Sequence, residues 1–164
     1  MECTVAWGGG LGLGTGMGFV ARTGSGHVVA MDGAPDAQHP EQGGANLAPR
    51  PMELVLAGTG GCTAYDVVLI LRRGRHDVRG CQVQLKAERA ETDPKVFTRI
   101  HMHFVVQGRG IPEAAVARAI ELSHEKYCSA SIMLGKTATI TTSFEIVEDS
   151  SAAAALRGGA PPSS

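Results

Sequence analysis

Aromatic residues are scarce in this chain: one Trp, two Tyr and four Phe, or 4% of 164 residues. The core must therefore rest on Val, Leu, Ile, Ala and Met, which a hydrophobic fraction of 43% can supply. Excess charge of either sign is also missing, since the formal net charge is −1. A chain this neutral has no global field to draw in a phosphate backbone, so nucleic acid is not an expected partner. The basic cluster Arg72, Arg73 and Arg75 reads instead as the cationic end of a helix. No basic leader precedes an apolar run: Met1, Glu2 and Cys3 open the chain, so no secretory signal is expected and the cytoplasm is the expected location. The most apolar window, Met52 to Leu71, is interrupted by Glu53, Asp66 and three glycines. That favours a core helix over a membrane span, and no membrane partner is expected. In that setting the four cysteines are expected as free thiols.

The length suits one domain, read as residues 1–149, followed by a disordered Ser/Ala/Gly/Pro tail over 150–164. Gly8 to Gly18 has glycines at the spacing of a dinucleotide fingerprint. More strand follows it, in Phe19–Ala21 and His27–Met31, where such a site needs a helix. A β-hairpin region is the better reading. Asp32 to Pro49 is polar and rich in turn formers, and reads as a mobile loop.

Pro51 then opens a helix that runs to Arg73, 23 residues or about 35 Å long. It is apolar on most faces, as for a helix buried all round. Gly58, Gly60 and Gly61 point to close approach by another backbone, and Gly74 to a C-cap. Alternation of Val83, Leu85 and Ala87 marks a strand over 81–89. Alternation of Ile100, Met102, Phe104 and Val106 marks a second strand over 96–107, and the two should form an antiparallel hairpin. A second helix is expected over Pro112–Cys128, and a last strand over 136–147. The fold class is α+β, with two main helices, the longer one central and buried, packed on antiparallel sheet.

Cys62 lies inside the long helix after Gly-Thr-Gly-Gly, and Cys128 closes the run Glu125-Lys126-Tyr127-Cys128-Ser129. Spacing alone fits two buried core cysteines. The stretch Ala48-Pro49-Arg50-Pro51-Met52-Glu53-Leu54-Val55-Leu56 leading to Gly60-Gly61-Cys62, the strand pair after it, the Cys128 segment, Ser25-Gly26-His27 and Met31-Asp32-Gly33 together resemble the OsmC/Ohr family, and within it the YhfA-like branch. The resemblance covers most of residues 20–148. It implies a peroxidase for hydrophobic organic hydroperoxides, active in oxidative stress defence. Cys62 would attack, Cys128 would resolve the product as a disulfide, and an external dithiol would reduce it. It also implies an intertwined homodimer, with no metal or organic cofactor.

Two positions depart from the family pattern. Hydroperoxide-reducing members carry a Glu directly after the helix-opening Pro, where this chain has Met52, with Glu53 one place later. Nine residues separate Glu53 from Cys62, about 900° of a regular helix, so they fall on opposite faces. The family's early Arg has only Arg22 as a candidate before the loop, and Arg50 as a possible substitute. Without a cation nearby, Cys62 would stay mostly protonated near neutral pH. The alternative function is a redox-sensitive or small-ligand-binding dimer without peroxidase turnover. Met52, Leu56 and Tyr127 are candidates to line an apolar pocket. His101 and His103 share an exposed strand face and lack further metal ligands. His124, four residues before Cys128, could tune that thiol or be an ordinary surface histidine. Asp66, one turn after Cys62, would oppose its ionisation.

Overall fold

A computed structural model describes residues 1–7 and 16–149. Most of the glycine-rich stretch and the whole 150–164 tail lie outside the described residues. The chain divides into two compact units, Met1–Ala57 and Gly58–Ser164.

The first unit holds β1 (Cys3–Trp7), β2 (Phe19–Thr23) and β3 (Val28–Met31) in one antiparallel sheet of that order. A strand, not a helix, thus follows the glycines, as their context implied. Thr23 and His27 close the β2–β3 hairpin, and Gly26 takes the left-handed φ of 87° that this turn needs. The loop after β3 is pinned rather than mobile. Its centre is Asp32, only 3% exposed. The carboxylate accepts the backbone N–H groups of Gly33 (2.7 Å), Ala45 (3.1 Å) and Leu47 (2.9 Å). The loop folds back so tightly that a Cβ on Gly44 would lie 2.2 Å from the Gly33 carbonyl oxygen.

Helix α1 (Pro51–Arg73) begins as the sequence requires. Pro51 takes the first position, where no N–H is needed, and the Glu53 carboxylate reaches back to the Arg50 N–H at 2.9 Å. At the other end the left-handed residue is Arg75 (φ 62°), not Gly74. The His76 N–H bonds the Leu71 carbonyl at 3.1 Å, and the Gly74 N–H bonds that of Ile70 at 2.9 Å. Gly74 is bare for another reason: a Cβ there would lie 2.9 Å from the His76 ring.

In the second unit β4 (Asp77–Arg89) and β5 (Phe97–Arg109) form the expected antiparallel hairpin. β4 starts earlier than its alternation suggested, because a register shift between Val78 and Gly80 puts its first residues out of phase. β6 (Thr139–Glu148) pairs with β5 in parallel, pairing Ile100 with Ile140 and Phe104 with Phe144. The sheet is therefore mixed, not antiparallel. A strand that returns through a helical crossover over 110–138 enters in the same direction as the strand it left. That crossover contains α2 (Glu113–Leu122), a π-helical turn (Ser123–Tyr127) and α3 (Ser129–Leu134). The expected single helix to Cys128 is thus interrupted, and among the described residues there are three α-helices rather than two.

The core of this unit is one sheet face plus the helices: Ile100, Met102, Phe104, Val106, Val67, Leu71, Val116 and Ala119 are all but sealed from solvent. Each large side chain so buried contributes about 1.5–3 kcal/mol. α1 lies close on the sheet at Gly60, where a Cβ would meet Leu85 Cδ1 at 2.6 Å. The close approach expected at the glycines is therefore to a side chain, and at Gly60 alone; Gly58 and Gly61 face open space. By length and composition α1 could cross a membrane. It packs a stripe of Thr59, Gly60, Thr63, Val67 and Leu71 into the fold instead. The helix is not buried all round, because a single sheet covers only one side of it. Tyr65, for one, is 69% exposed.

Candidate functional site

The second unit brings Cys62 and Cys128 together. Donor atoms of Cys62, Asp66 and Cys128 all lie within 4.8 Å of one another, and both thiols are free. Each arrives by a separate route. Cys62 and Asp66 are one turn apart on α1 and share a face. Cys128 leaves the π turn, whose defining bond runs from its own N–H to the Ser123 carbonyl at 2.8 Å. It adopts an extended backbone (φ −74°, ψ 95°) and becomes the N-cap of α3.

The two sulfurs differ in exposure and in surroundings. Cys62 is half-buried, while Cys128 has no exposed surface. Cys128 Sγ accepts the Ser131 N–H at 3.4 Å and shares a hydrogen bond with the Thr63 hydroxyl, also at 3.4 Å, while that hydroxyl donates to the Thr59 carbonyl at 2.9 Å. Burial pushes the Cys128 thiol up from its ordinary 9.0, but the Ser131, Thr63 and Cys62 side chains and the Ser131 N–H outweigh it, and the net direction is down. Cys62 moves the other way. Burial raises it first, then the hydrogen bond it makes to Cys128, and the Asp66 charge adds to both; only the Ala130 N–H opposes them. Asp66 thus has the effect expected of it. Its carboxylate also accepts the hydroxyl of the fully buried Ser123 at 3.0 Å.

The remaining candidates have other surroundings. Arg22 sits on β2 opposite Thr4 and Val28. Glu53 and Arg50 are joined in the helix cap described above. Met52 and Leu56 are half-buried on the first turns of α1. Tyr127 is 51% exposed and lines a hollow of about 250 Å³ with Asp66, Leu69, Ile70, Arg73 and Leu122. His124 does not tune Cys128 through a helical i,i+4 pairing, because the π turn breaks that phase. Its ring lines a separate hollow with Glu121, Glu125 and Phe144, and its Nδ1 is buried without a hydrogen-bond partner among the described residues. His101 and His103 bond Thr141 and Ser143 at 2.8–2.9 Å across β5 and β6. Cys3 is exposed, and burial pushes the Cys81 thiol up.

Sequence reasoning missed Thr63, Ser123 and Ser131. One signal was present: a Ser three residues after Cys128 is the spacing of an N-cap and the amide it accepts.

The site is thus a half-buried thiol within 4.8 Å of a buried one, carried on helices packed on a mixed sheet, the arrangement that two-thiol chemistry requires. Comparison with known proteins narrows it. The family model described as OsmC-like protein matches residues 43–143. Protein YhfA of Escherichia coli K12 is 48% identical over 132 residues, covering 80% of this chain and 92% of that one. A hypothetical protein from Aquifex aeolicus superposes with a TM-score of 0.70 at 28% identity, covering 90% of this chain and 96% of that one. An organic hydroperoxide resistance protein OsmC from Legionella pneumophila shares the fold, with a TM-score of 0.60 at 16% identity and coverage of 88% and 97%. The chain belongs to the OsmC-like family.

Proposed function

We propose that this protein is a thiol-dependent peroxidase that reduces hydrophobic organic hydroperoxides in oxidative stress defence. One observation carries the reading: a reachable sulfur, Cys62, lies beside a sealed one, Cys128. Cys62 Sγ attacks the terminal peroxide oxygen and the O–O bond breaks. The alkoxide leaves and is protonated to the alcohol, and Cys62 becomes a sulfenic acid. Cys128 Sγ then attacks Cys62 Sγ, an S–S bond forms, and hydroxide leaves as water. An external dithiol returns both thiols. The name of the Legionella relative supports this substrate class. The apolar hollow beside Asp66 and Tyr127 supports a hydrocarbon substituent.

The working species in this reading is an intertwined cytoplasmic homodimer. The uncovered apolar side of α1, with Ala64, Tyr65, Val68 and Leu69, needs a cover, and a second copy supplies one. Sedimentation equilibrium at micromolar concentration should give twice the chain mass. The raised Cys62 thiol favours a second reading, a redox-sensitive or ligand-binding dimer without turnover.

One titration separates the two. Reduced protein is mixed with cumene hydroperoxide and followed by intact mass and peptide mapping. Loss of two hydrogens within seconds, mapped to Cys62–Cys128, is the peroxidase result. Slow oxidation scattered over all four cysteines removes it and leaves the second reading.

A further inference from the structure

The proposed reaction uses two sulfurs and gives Asp66 no task. A carboxylate beside two thiols is a poor neighbour for a nucleophile, because its charge opposes their ionisation. It is a good neighbour for a cation. The Cys62 and Cys128 sulfurs and an Asp66 oxygen all lie within 4.8 Å of one another. Donors bound tetrahedrally at zinc distances stand roughly 3.3–3.8 Å apart, so small side-chain rotations bring these three onto one ion. Two of them come from one helix. Cys62 and Asp66 are four residues apart on α1, the spacing at which two side chains on one helix face share an ion. Each donor also has the outer support that metal ligands carry. Asp66 Oδ2 accepts the hydroxyl of the buried Ser123 at 3.0 Å, which leaves the carboxylate its other oxygen. Cys128 Sγ accepts the Ser131 N–H at 3.4 Å, and the Ala130 N–H bonds Cys62. The hydroxyls beside the pair are committed elsewhere: Thr63 donates to the Thr59 carbonyl at 2.9 Å and Ser131 to the Cys128 carbonyl at 3.1 Å. The Cys128 sulfur therefore keeps lone pairs for a ligand. Cys62 and Asp66 are half-buried, so an ion meets them first, and the sealed Cys128 closes on it from behind.

We propose that the reduced protein binds one Zn²⁺ per chain through Cys62, Asp66 and Cys128, with water in the fourth position, and that the bound ion shields Cys62 from oxidants and alkylating agents. Two soft sulfurs and one oxygen suit Zn²⁺ over Mg²⁺ or Ca²⁺, which take oxygen donors. Three protein ligands are the number an open zinc site keeps. Binding changes no oxidation state. Both thiols lose their protons to solvent, each thiolate gives an electron pair to the ion, and coordinated waters leave it. Two thiolates and a carboxylate outweigh the two positive charges of the ion by one, so Asp66 stabilises the complex instead of opposing it. The ion holds the electron pair with which Cys62 would attack a peroxide. It is thus a blocker of the pair, not its cofactor. Zn²⁺ binding needs only the three donor atoms and stands apart from the peroxidase reading.

Reduced full-length protein, freed of reductant in the absence of air, is titrated with Zn²⁺ against a competing chromophoric chelator near neutral pH. One Zn²⁺ per chain is expected. Asp66→Asn, which keeps both thiols, should bind about a hundredfold more weakly, and Ser123→Ala about tenfold. Cys3→Ser combined with Cys81→Ser should bind as wild type does. Equal affinity in wild type and Asp66→Asn overturns the site, as does loss of binding in the double variant. Co²⁺ in wild type needs no substitution: a sulfur-to-metal charge-transfer band with the intense visible bands of a tetrahedral ion supports the site, and the weak bands of a six-coordinate ion overturn it. Bound Zn²⁺ should slow iodoacetamide labelling of Cys62, read by peptide mass, roughly tenfold. Unchanged labelling of the zinc-loaded protein overturns the shielding. Wild type that binds Zn²⁺ yet is not oxidised by cumene hydroperoxide keeps the site and removes the peroxidase, and rapid oxidation without Zn²⁺ binding does the reverse.

Discussion

Asp32 and Cys128 are both buried acids ringed by hydrogen-bond donors, yet the two rings are built differently. Asp32 is held by three backbone N–H groups that can point nowhere else. Its carboxyl lies below its ordinary 3.8, chiefly through the Leu47 N–H, with burial opposing and the Gly33 and Ala45 N–H groups assisting. Cys128 Sγ has one such amide, from Ser131, while the neighbouring Thr63 and Ser131 hydroxyls donate to the Thr59 and Cys128 carbonyls. Fixed donors make a permanent anion, suited to tying a loop. A sulfur that accepts one fixed N–H is held less firmly, which leaves it free to form and break a bond.

The comparison can be broken at either end. The largest effect should come from Cys62→Ser, which leaves the Ser131 and Thr63 contacts of Cys128 in place but removes the reachable sulfur. Peroxide consumption should vanish, and unchanged turnover would sink the proposed function. Next comes Asp32→Asn, which turns one acceptor into an NH₂ group facing backbone N–H donors. The 33–47 loop should loosen, seen as a melting temperature several degrees lower and early proteolytic cuts in that loop. Thr63→Val should cost roughly tenfold in steady-state rate, the worth of the one hydrogen bond between its hydroxyl and the Cys128 sulfur, with little change in melting temperature.

The smallest effect separates the rings by pH. A carboxyl whose value is lowered on folding adds stability above its unfolded value, and that stability is lost as pH falls through the folded value. Acid unfolding of wild type should therefore contain a component below about pH 3.8 that Asp32→Asn lacks. The Cys128 ring should govern rate in a window below the ordinary thiol value of 9.0 and leave acid unfolding unchanged.

Much of this was legible in the chain. The alternation of Val83, Leu85 and Ala87, and of Ile100 to Val106, marks strands because a half-buried strand permits little else. The direction of β6 was not legible, because Ile140, Phe144 and Ile146 alternate identically in a parallel or an antiparallel pair. The open side of α1 was hidden for a similar reason: an apolar helix reads the same whether its own chain or another covers it. Cys62 and Cys128 were recognisable from their segments, and Asp66 from its spacing. Thr63 and Ser131 were not, because a hydroxyl becomes a thiol's neighbour only through long-range packing. The surroundings of His124 were not legible, because Ser-His-Glu-Lys-Tyr looks like ordinary helix and gives no sign of an i→i+5 bond.

That bond makes the site depend on chain length as well as on residue type. From Ser123 to Tyr127 the backbone carries one residue more than an α-helical turn would hold, and the surplus lets Ser123 reach Asp66 while Cys128 swings out to meet Cys62. Deleting His124 or Lys126 would leave every cysteine, hydroxyl and carboxylate in the chain, but would turn Cys128 about 100° around the helix axis. Substitutions in these four positions should be forgiven more readily than a single deletion, so the segment is a spacer whose information lies in its count.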